Sequence, residues 1–313
     1  MLLDAPAISA AVDCRAHVSI SQSDGEFHCL EAPGYVDGHW YFRLSAGGVM
    51  EWRDPLPDPA MFALVEAVFG AIAVAPMPAA TLVVDTQAFH DRHTGDKLGF
   101  GSSAAVAVSL SAALRAFLAL EGDDGRTART AHERFQDGRG SGVDIATSQH
   151  GGLLEYRRAA AKIRRIAWPA GLHYRFLWSG HSAATADRLK RLQGQKQSAS
   201  LQRLCVHSGE LAKAWIAGVV TQILGCYPAY IETLSAFSDE YDLGIFDAGH
   251  RALVQSANER GIVYKPCGAG GGDVGIVLAE CEHDIDEFLR DALPTAVTVL
   301  EVSLDDSGLE LAE

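Results

Sequence analysis

Residues 97–120 read KLGFGSSAA and then VAVSLSAALRAFLAL, a glycine-serine loop that runs straight into a stretch without glycine or proline. The second stretch predicts a helix of at least about four turns, apolar almost all round, which has to lie inside the protein. A flexible loop feeding a helix N-terminus brings free N–H groups and the positive end of the helix dipole together, a cradle suited to phosphate. Gly99 and Gly101 let the backbone come close to a ligand. Ser102 and Ser103 can cap the helix, bond a phosphate oxygen or hold Mg²⁺, and the amide of Ala104 belongs to the same first turn. The plainer reading of these residues is a capped, buried helix with nothing bound.

Two further glycine-rich segments follow. Residues 138–146 read GRGSGVDIA and continue into TSQHGGLLEYRR, and residues 265–275 read KPCGAGGGDVG. Three signatures of these forms, in this order, resemble the GHMP kinase superfamily, which includes galactokinases, homoserine kinases, mevalonate kinases and phosphomevalonate kinases. Three runs are most similar to the phosphomevalonate kinase branch: DTQAFHDRHTGDKLGFGSSAA, with its lysine just ahead of the glycines, GSGVDIATSQHGG, and KPCGAGGGDVGI. The resemblance spans nearly the whole chain, residues 5–304.

That resemblance implies an α+β protein with a two-domain GHMP kinase-like fold. An N-terminal α+β domain over residues 1–168 would bind ATP, and residues 169–313 would form a ferredoxin-like C-terminal domain. The nucleotide and the second substrate would meet in the cleft between them. The implied reaction is transfer of a phosphoryl group from ATP, with Mg²⁺, to 5-phosphomevalonate, giving 5-diphosphomevalonate in the mevalonate route to isoprenoids. Mevalonate kinase, or another small-molecule kinase of the superfamily, is the alternative within the enzyme class. A non-catalytic nucleotide-binding relative is the alternative outside it.

The candidate site residues follow from the same segments. Asp144, in GSGVD, is by its chemistry either a carboxylate that orients a substrate hydroxyl or a turn aspartate bonded to its own backbone. The resemblance sets it at the family's catalytic aspartate. Glu133 lies eleven residues earlier, the offset of the magnesium-binding glutamate of mevalonate kinases. Ser103 and Glu133 are therefore the implied metal ligands, against the alternative of a solvated helix carboxylate. Lys97, the second catalytic candidate, looks like the lysine that phosphomevalonate kinases set against a substrate phosphate; an exposed lysine is the alternative. Arg139, Ser141 and, in the run WSGHS, His181 and Ser182 are implied acceptor-site residues. A partly protonated His181 would help to bind phosphate. Gly270 and Gly271 join this set, although Gly268, Gly270, Gly271 and Gly272 can equally serve to pack the third segment against the other two.

Other chemistries fit less well. There is no GxxxxGK[ST] run. Gly270, Gly272 and Gly275 match GxGxxG, but a dinucleotide site needs a helix afterwards, and IVLAE reads as a strand. His90 and His93 stand one helical turn apart without a supporting cysteine or carboxylate set. At 313 residues, 48% hydrophobic and 21% charged, the chain reads as globular and long enough for two domains. A formal charge of −14 argues against a nucleic-acid or anionic-membrane surface. Lys97, Arg139, His181, Arg188 and Lys190 can still make one site locally basic. Six scattered cysteines without zinc spacing suggest free thiols in a reducing cytosol. No apolar run reaches membrane-spanning length, and MLLDAPAIS lacks the marks of a signal peptide. The expectation is a cytoplasmic monomer or homodimer whose partner is its small-molecule substrate.

Apolar periodicity predicts a β-hairpin over residues 11–21 and 26–31, strands at 40–44, 49–52 and 80–84, and helices at 58–74 and 126–136. Strands at 152–156 and 173–178 follow. Helices are then expected at 184–193, 209–224 with Gly225 as C-cap, 230–241, 248–258 and 284–291, with strands at 275–280 and 296–302. The family opens with a strand and the motif PGK-x-x-x-x-GE-(Y/H), whereas here Met1-Leu2-Leu3-Asp4 leads directly into the segment that follows it. The expectation is a chain lacking that motif and its lysine, with a sheet edge left unpaired. Truncation or a misplaced start explains it plainly; a shortened relative in which Lys97 partly replaces the missing charge is the alternative.

Overall fold

The computed structural model describes residues 5–73, 77–92, 94–122, 125–138, 140–158, 162–183, 191–192 and 198–312. Its strands are β1 (Ala7–Ala10), β2 (His17–Gln22), β3 (His28–Ala32), β4 (Val36–Ser45), β5 (Val49–Trp52), β6 (Ala80–Asp85), β7 (Leu153–Arg157), β8 (Lys162–Ile166), β9 (His173–Trp178), β10 (Val263–Pro266), β11 (Val274–Ala279) and β12 (Thr298–Leu300). Its helices are α1 (Ala63–Ile72), α2 (Ser102–Phe117), α3 (Arg126–Phe135), α4 (Val143–His150), α5 (Ala199–Ala217), α6 (Val220–Glu240), α7 (His250–Glu259) and α8 (Glu282–Ala292). The helix expected at 184–193 falls almost wholly outside the described residues, as do Arg188 and Lys190.

The chain divides into two compact units, each discontinuous in sequence. One comprises Ala11–Gly95, Gly101–Gly151 and Asp305–Glu313; the other comprises Met1–Ala10, Asp96–Phe100 and Gly152–Leu304. The break at 151/152 precedes the 168/169 border expected from the sequence. The cause is β7, which pairs antiparallel with β1 and β8 and buries Leu153 with Leu211 and Trp215 of α5.

The first unit is built on a five-stranded sheet of order β2-β6-β3-β4-β5. The expected hairpin of β2 with β3 does not form, because β6 lies between them, antiparallel to β2 and parallel to β3. Burial gives the reason. β3 is buried at four of its five positions, so it needs a neighbour on each side, whereas β2 is largely exposed and suits an edge. Alternate residues of β6, Ala80, Leu82 and Val84, face the core with Leu30, Phe42, Val68 and Phe69. The Ala80 N–H donates to Nδ1 of buried His28 at 3.2 Å.

Helix α2 fills the middle of this unit. Val106, Leu110 and Leu114 pack into the sheet core, while Ala104, Ala107 and Val108 pack on Ala128 of α3 and Ile145 of α4. An apolar helix covered on both sides keeps its register, and so fixes where its N-terminus lies. The C-terminal segment returns to the far end of α4. Leu309 N–H donates to Gln149 O at 3.1 Å, and Arg15 holds Gly308 O at 3.0 Å and the Asp305 carboxylate.

The second unit contains a sheet of order β10-β11-β9-β12, with every neighbouring pair antiparallel. Strand, helices, two strands, helix and strand in this order give a ferredoxin-like arrangement. Leu253 and Ala257 of α7 and Ile285 and Phe288 of α8 cover the face presenting Leu177, Tyr264 and Val277. Helices α5 and α6 cover the face presenting Val263 and Leu278, with Trp215 Nε1 donating to the Tyr227 hydroxyl at 3.2 Å. Gly225, expected as a C-cap, lies inside α6. The stop falls earlier, at Gly218, whose φ of 70° suits glycine and whose N–H reaches Ala214 O and Trp215 O.

Gly275 of β11 shows why the third glycine segment cannot carry side chains freely. A Cβ there would meet the Tyr264 hydroxyl at 2.1 Å, and Tyr264 is buried and bonded to Nδ1 of His250 at 2.7 Å. Gly275→Ala is expected to destabilise the protein by about 1–3 kcal/mol through overpacking. Urea denaturation measures this, and a midpoint equal to that of the wild type would show that the contact is easily relieved.

Candidate active site

The first component is the N-terminus of α2. Gly101 caps it with φ of 77°, and the Ala104 and Ala105 amides return to Gly101 O at 3.1 and 3.3 Å. The first turn carries no acidic residue, so nothing on the helix itself offsets its positive end. Ser102 is buried beside Ala104, while Ser103 is half-buried. The amides ahead of the helical ladder are therefore the groups this turn offers to an anion.

Ser103 does not stand alone. Its Oγ lies 3.1 Å from Nε2 of His132 on α3, and Nδ1 of the same ring lies 3.8 Å from Asp144 Oδ2 on α4. His132 is 2% exposed and Asp144 34%. Burial lowers the His132 pKa from its ordinary 6.5, against the opposing pull of Asp144 and Glu133, so the ring is neutral near neutral pH. Asp144 sits in the first turn of α4, capped by Gly142 with φ of 76°, and its Oδ1 accepts the Ile145 N–H at 3.0 Å. Ser141 Oγ accepts the Val143 N–H at 3.4 Å. Glu133 is exposed on α3, next to but not part of this chain of contacts. Arg139 lies outside the described residues.

Among the described residues, no cluster of three or more histidine, cysteine, aspartate or glutamate side chains could hold a metal ion. His90 Nδ1 lies 3.2 Å from Thr86 O, a local contact, and His93 lies outside the described residues.

In the second unit, residues 96–100 pack against the third glycine segment. A Cβ on Gly99, where φ is 88°, would meet Asp273 Cγ at 2.3 Å. Asp273 Oδ1 in turn accepts the Ala183 N–H at 3.0 Å, and its own N–H donates to His181 O at 2.7 Å. Ser182 Oγ donates to Lys97 O at 3.0 Å. Lys97, His181, Ser182 and Gly99 are thus brought together, and the side chains of Lys97, His181 and Ser182 are exposed. Gly270 and Gly271 are engaged within the fold: their N–H groups donate to Cys267 O at 3.1 Å and Ile245 O at 2.7 Å. A Cβ on Gly270 would meet Ile245 O at 2.5 Å. The residues after Gly275 continue as β11, so GxGxxG here is no dinucleotide loop.

Sequence reasoning missed three polar residues that organise these segments: His132, His250 and Asp273. His250 is fully buried, with Nε2 2.9 Å from Gly272 O. His132 was recoverable, since it shares the buried stripe of α3 with Ala128 and Ala131, where a polar residue needs a partner. Asp273 carried no signal, because its φ of 55° is a product of the loop.

No family model matches the chain. It is 31% identical to a phosphomevalonate kinase from Streptomyces sp. (strain CL190), across 90% of this chain and 86% of that protein. The structure of Streptococcus pneumoniae phosphomevalonate kinase in complex with phosphomevalonate and AMPPNP superposes with a TM-score of 0.76 at 17% identity, covering 96% of this chain and 93% of the other. Methanococcus jannaschii mevalonate kinase gives 0.68 at 15% identity, covering 97% and 92%. This similarity, with the α+β, two-domain fold, defines a small-molecule phosphotransferase, and the chain belongs to the GHMP kinase family. Among the described residues, no helix is long and apolar enough to cross a membrane.

His28 and His132 both have pKa values lowered from 6.5 by burial, so the unfolded chain binds protons more readily than the folded one. Stability contributed by these groups is complete above pH 6.5 and falls as the pH drops from there toward their lower folded values. Thermal unfolding of the protein between about pH 7.5 and about pH 5.5 should show a declining midpoint, and the decline should shrink when His28 is replaced. A midpoint rising over that range would contradict neutral, buried rings.

Proposed function

We propose that the chain transfers the γ-phosphoryl group of ATP to 5-phosphomevalonate, giving 5-diphosphomevalonate and ADP. The observation that carries this reading is the contact chain Ser103–His132–Asp144, which ties a phosphate-binding helix turn to a carboxylate on a neighbouring helix. Phosphoryl transfer asks for little covalent help from the protein. It needs the triphosphate held, its charge offset, and the acceptor oxygen directed at phosphorus. The α2 turn, with Gly101, Ser102, Ser103 and Ala104, suits the first task. Asp144 suits the last: it orients the acceptor and takes the proton when the acceptor oxygen carries one. The new bond joins the acceptor oxygen to the γ-phosphorus as the bond to the bridging oxygen of ADP breaks.

The choice of acceptor is supported by similarity to phosphomevalonate kinases. Lys97 supplies the cation for the acceptor's phosphate in this reading, with Ser182 bonded to its carbonyl, His181 next to Ser182 in the chain, and Arg139 and Ser141 as further ligands. A hard divalent cation takes oxygen ligands, and here Ser103 and Glu133 would add to those from phosphate and water. When bound, Mg²⁺ offsets charge on the transferring group.

The test is ADP release and product analysis with ATP, Mg²⁺ and either phosphomevalonate or mevalonate. Turnover with phosphomevalonate alone is the expected result, and turnover with mevalonate alone would replace the acceptor. Asp144→Asn is expected to lower kcat by about 100-fold or more, and Lys97→Ala to raise KM for phosphomevalonate more than KM for ATP. Full activity in Asp144→Asn would remove this residue from the mechanism.

A further inference from the structure

The His132 ring is buried between two polar groups. Facing Nδ1 is the Asp144 carboxylate, at 3.8 Å, which has no proton to give and favours an N–H on that side. Facing Nε2 is the Ser103 hydroxyl at 3.1 Å, which can donate as well as accept. The arrangement that suits both neighbours has the proton on Nδ1 and the lone pair on Nε2, and that single lone pair takes one hydrogen. The Gln136 amide nitrogen lies 3.4 Å from Nε2, but its buried oxygen has no hydrogen-bond partner among the described residues, so the amide does not enter the assignment.

This tautomer has a consequence for Ser103. Its hydroxyl has one proton, and that proton goes to Nε2. The remaining lone pairs face away from the ring, so the oxygen is presented as an acceptor. An acceptor suits a cation; a phosphate oxygen would have wanted the proton. The sequence left those two roles of Ser103 open, and the neighbour on α3 separates them.

We propose that His132 is a positioning residue: held as its Nδ1–H tautomer, it takes the Ser103 hydroxyl proton and turns that oxygen's lone pairs toward a cation carried by the nucleotide phosphates. The cation half of this statement rests on the kinase reading above; the tautomer half does not. His132 acts through Ser103, and the Asp144 charge beside Nδ1 favours a proton there.

The first measurement uses the full chain without substrate. Long-range proton–nitrogen NMR on isotope-labelled histidine should show His132 protonated on Nδ1 only, with an Nε2 resonance that shifts in Ser103→Ala. A proton on Nε2 overturns the proposal whatever the protein phosphorylates, and this readout decides even if a His132 variant fails to fold. Kinetics with ATP, Mg²⁺ and phosphomevalonate then test the action through Ser103. His132→Phe should lower kcat/KM for ATP about tenfold, and His132→Gln, whose amide oxygen can accept from Ser103, should recover most of it. The double variant Ser103→Ala/His132→Phe should be no worse than Ser103→Ala alone. Losses that multiply, or a glutamine as poor as phenylalanine with both proteins folded, would overturn it. A wild-type chain with the expected tautomer but no turnover would count against the kinase reading and the cation half together, leaving the ring assignment intact.

Discussion

Helix α2 buries apolar side chains on two sides, and the first unit is organised by that fact. Ala104, Ala107 and Val108 need apolar partners on the side away from the sheet, and α3 and α4 supply them through Ala128 and Ile145. Full burial of such side chains is worth roughly 1.5–3 kcal/mol each for the larger ones, far more than any surface contact here. The three helices therefore cannot slide independently. His132 follows Ala131 on α3, Asp144 precedes Ile145 on α4, and Ser103 precedes Ala104 on α2. Each polar residue is placed by the apolar residue beside it, so the same packing that makes the core also aligns the site.

The three glycine segments do different physical work. In the first, Gly101 supplies a left-handed cap that ends the loop and starts α2. In the second, Gly142 does the same for α4, directly ahead of Asp144. In the third, the glycines allow close backbone contact: Gly270 against Ile245, Gly272 against His181 and Gly275 against Tyr264. A shared composition thus covers two helix starts and one packing joint. The amides of Gly270 and Gly271 are bonded within the fold, as in the packing role that the sequence reading set beside a substrate role for them.

Much of the fold was legible because it rests on local pattern. The uninterrupted apolar run of α2, the strand at 173–178 and the alternation in β6 each announce their element. Strand partners were not legible in the same way. Residues 11–31 have the look of a hairpin, but pairing is decided by which strand can be buried on both sides, and β6 arrives from far along the chain to separate β2 from β3. Gly225 looked like a helix end for a similar reason: glycine permits a stop without requiring one, and packing of Ile223 and Tyr227 carries α6 through it.

By itself, the sequence determined the family, the α+β class and the start of α2 at its glycine loop, since these depend on residue type and near neighbours. It also pointed to Ser103 and Asp144, because short glycine-flanked motifs hold their chemistry in a few consecutive residues. Only the tertiary structure decided what those residues face. His132 is separated from Ser103 by most of α2 and α3 in the chain, yet it lies 3.1 Å from the Ser103 hydroxyl. Asp273 lies far along the chain from Gly99, yet a single added carbon on Gly99 would strike it. Contacts of this kind depend on how buried faces stack, and no local pattern of residues encodes that.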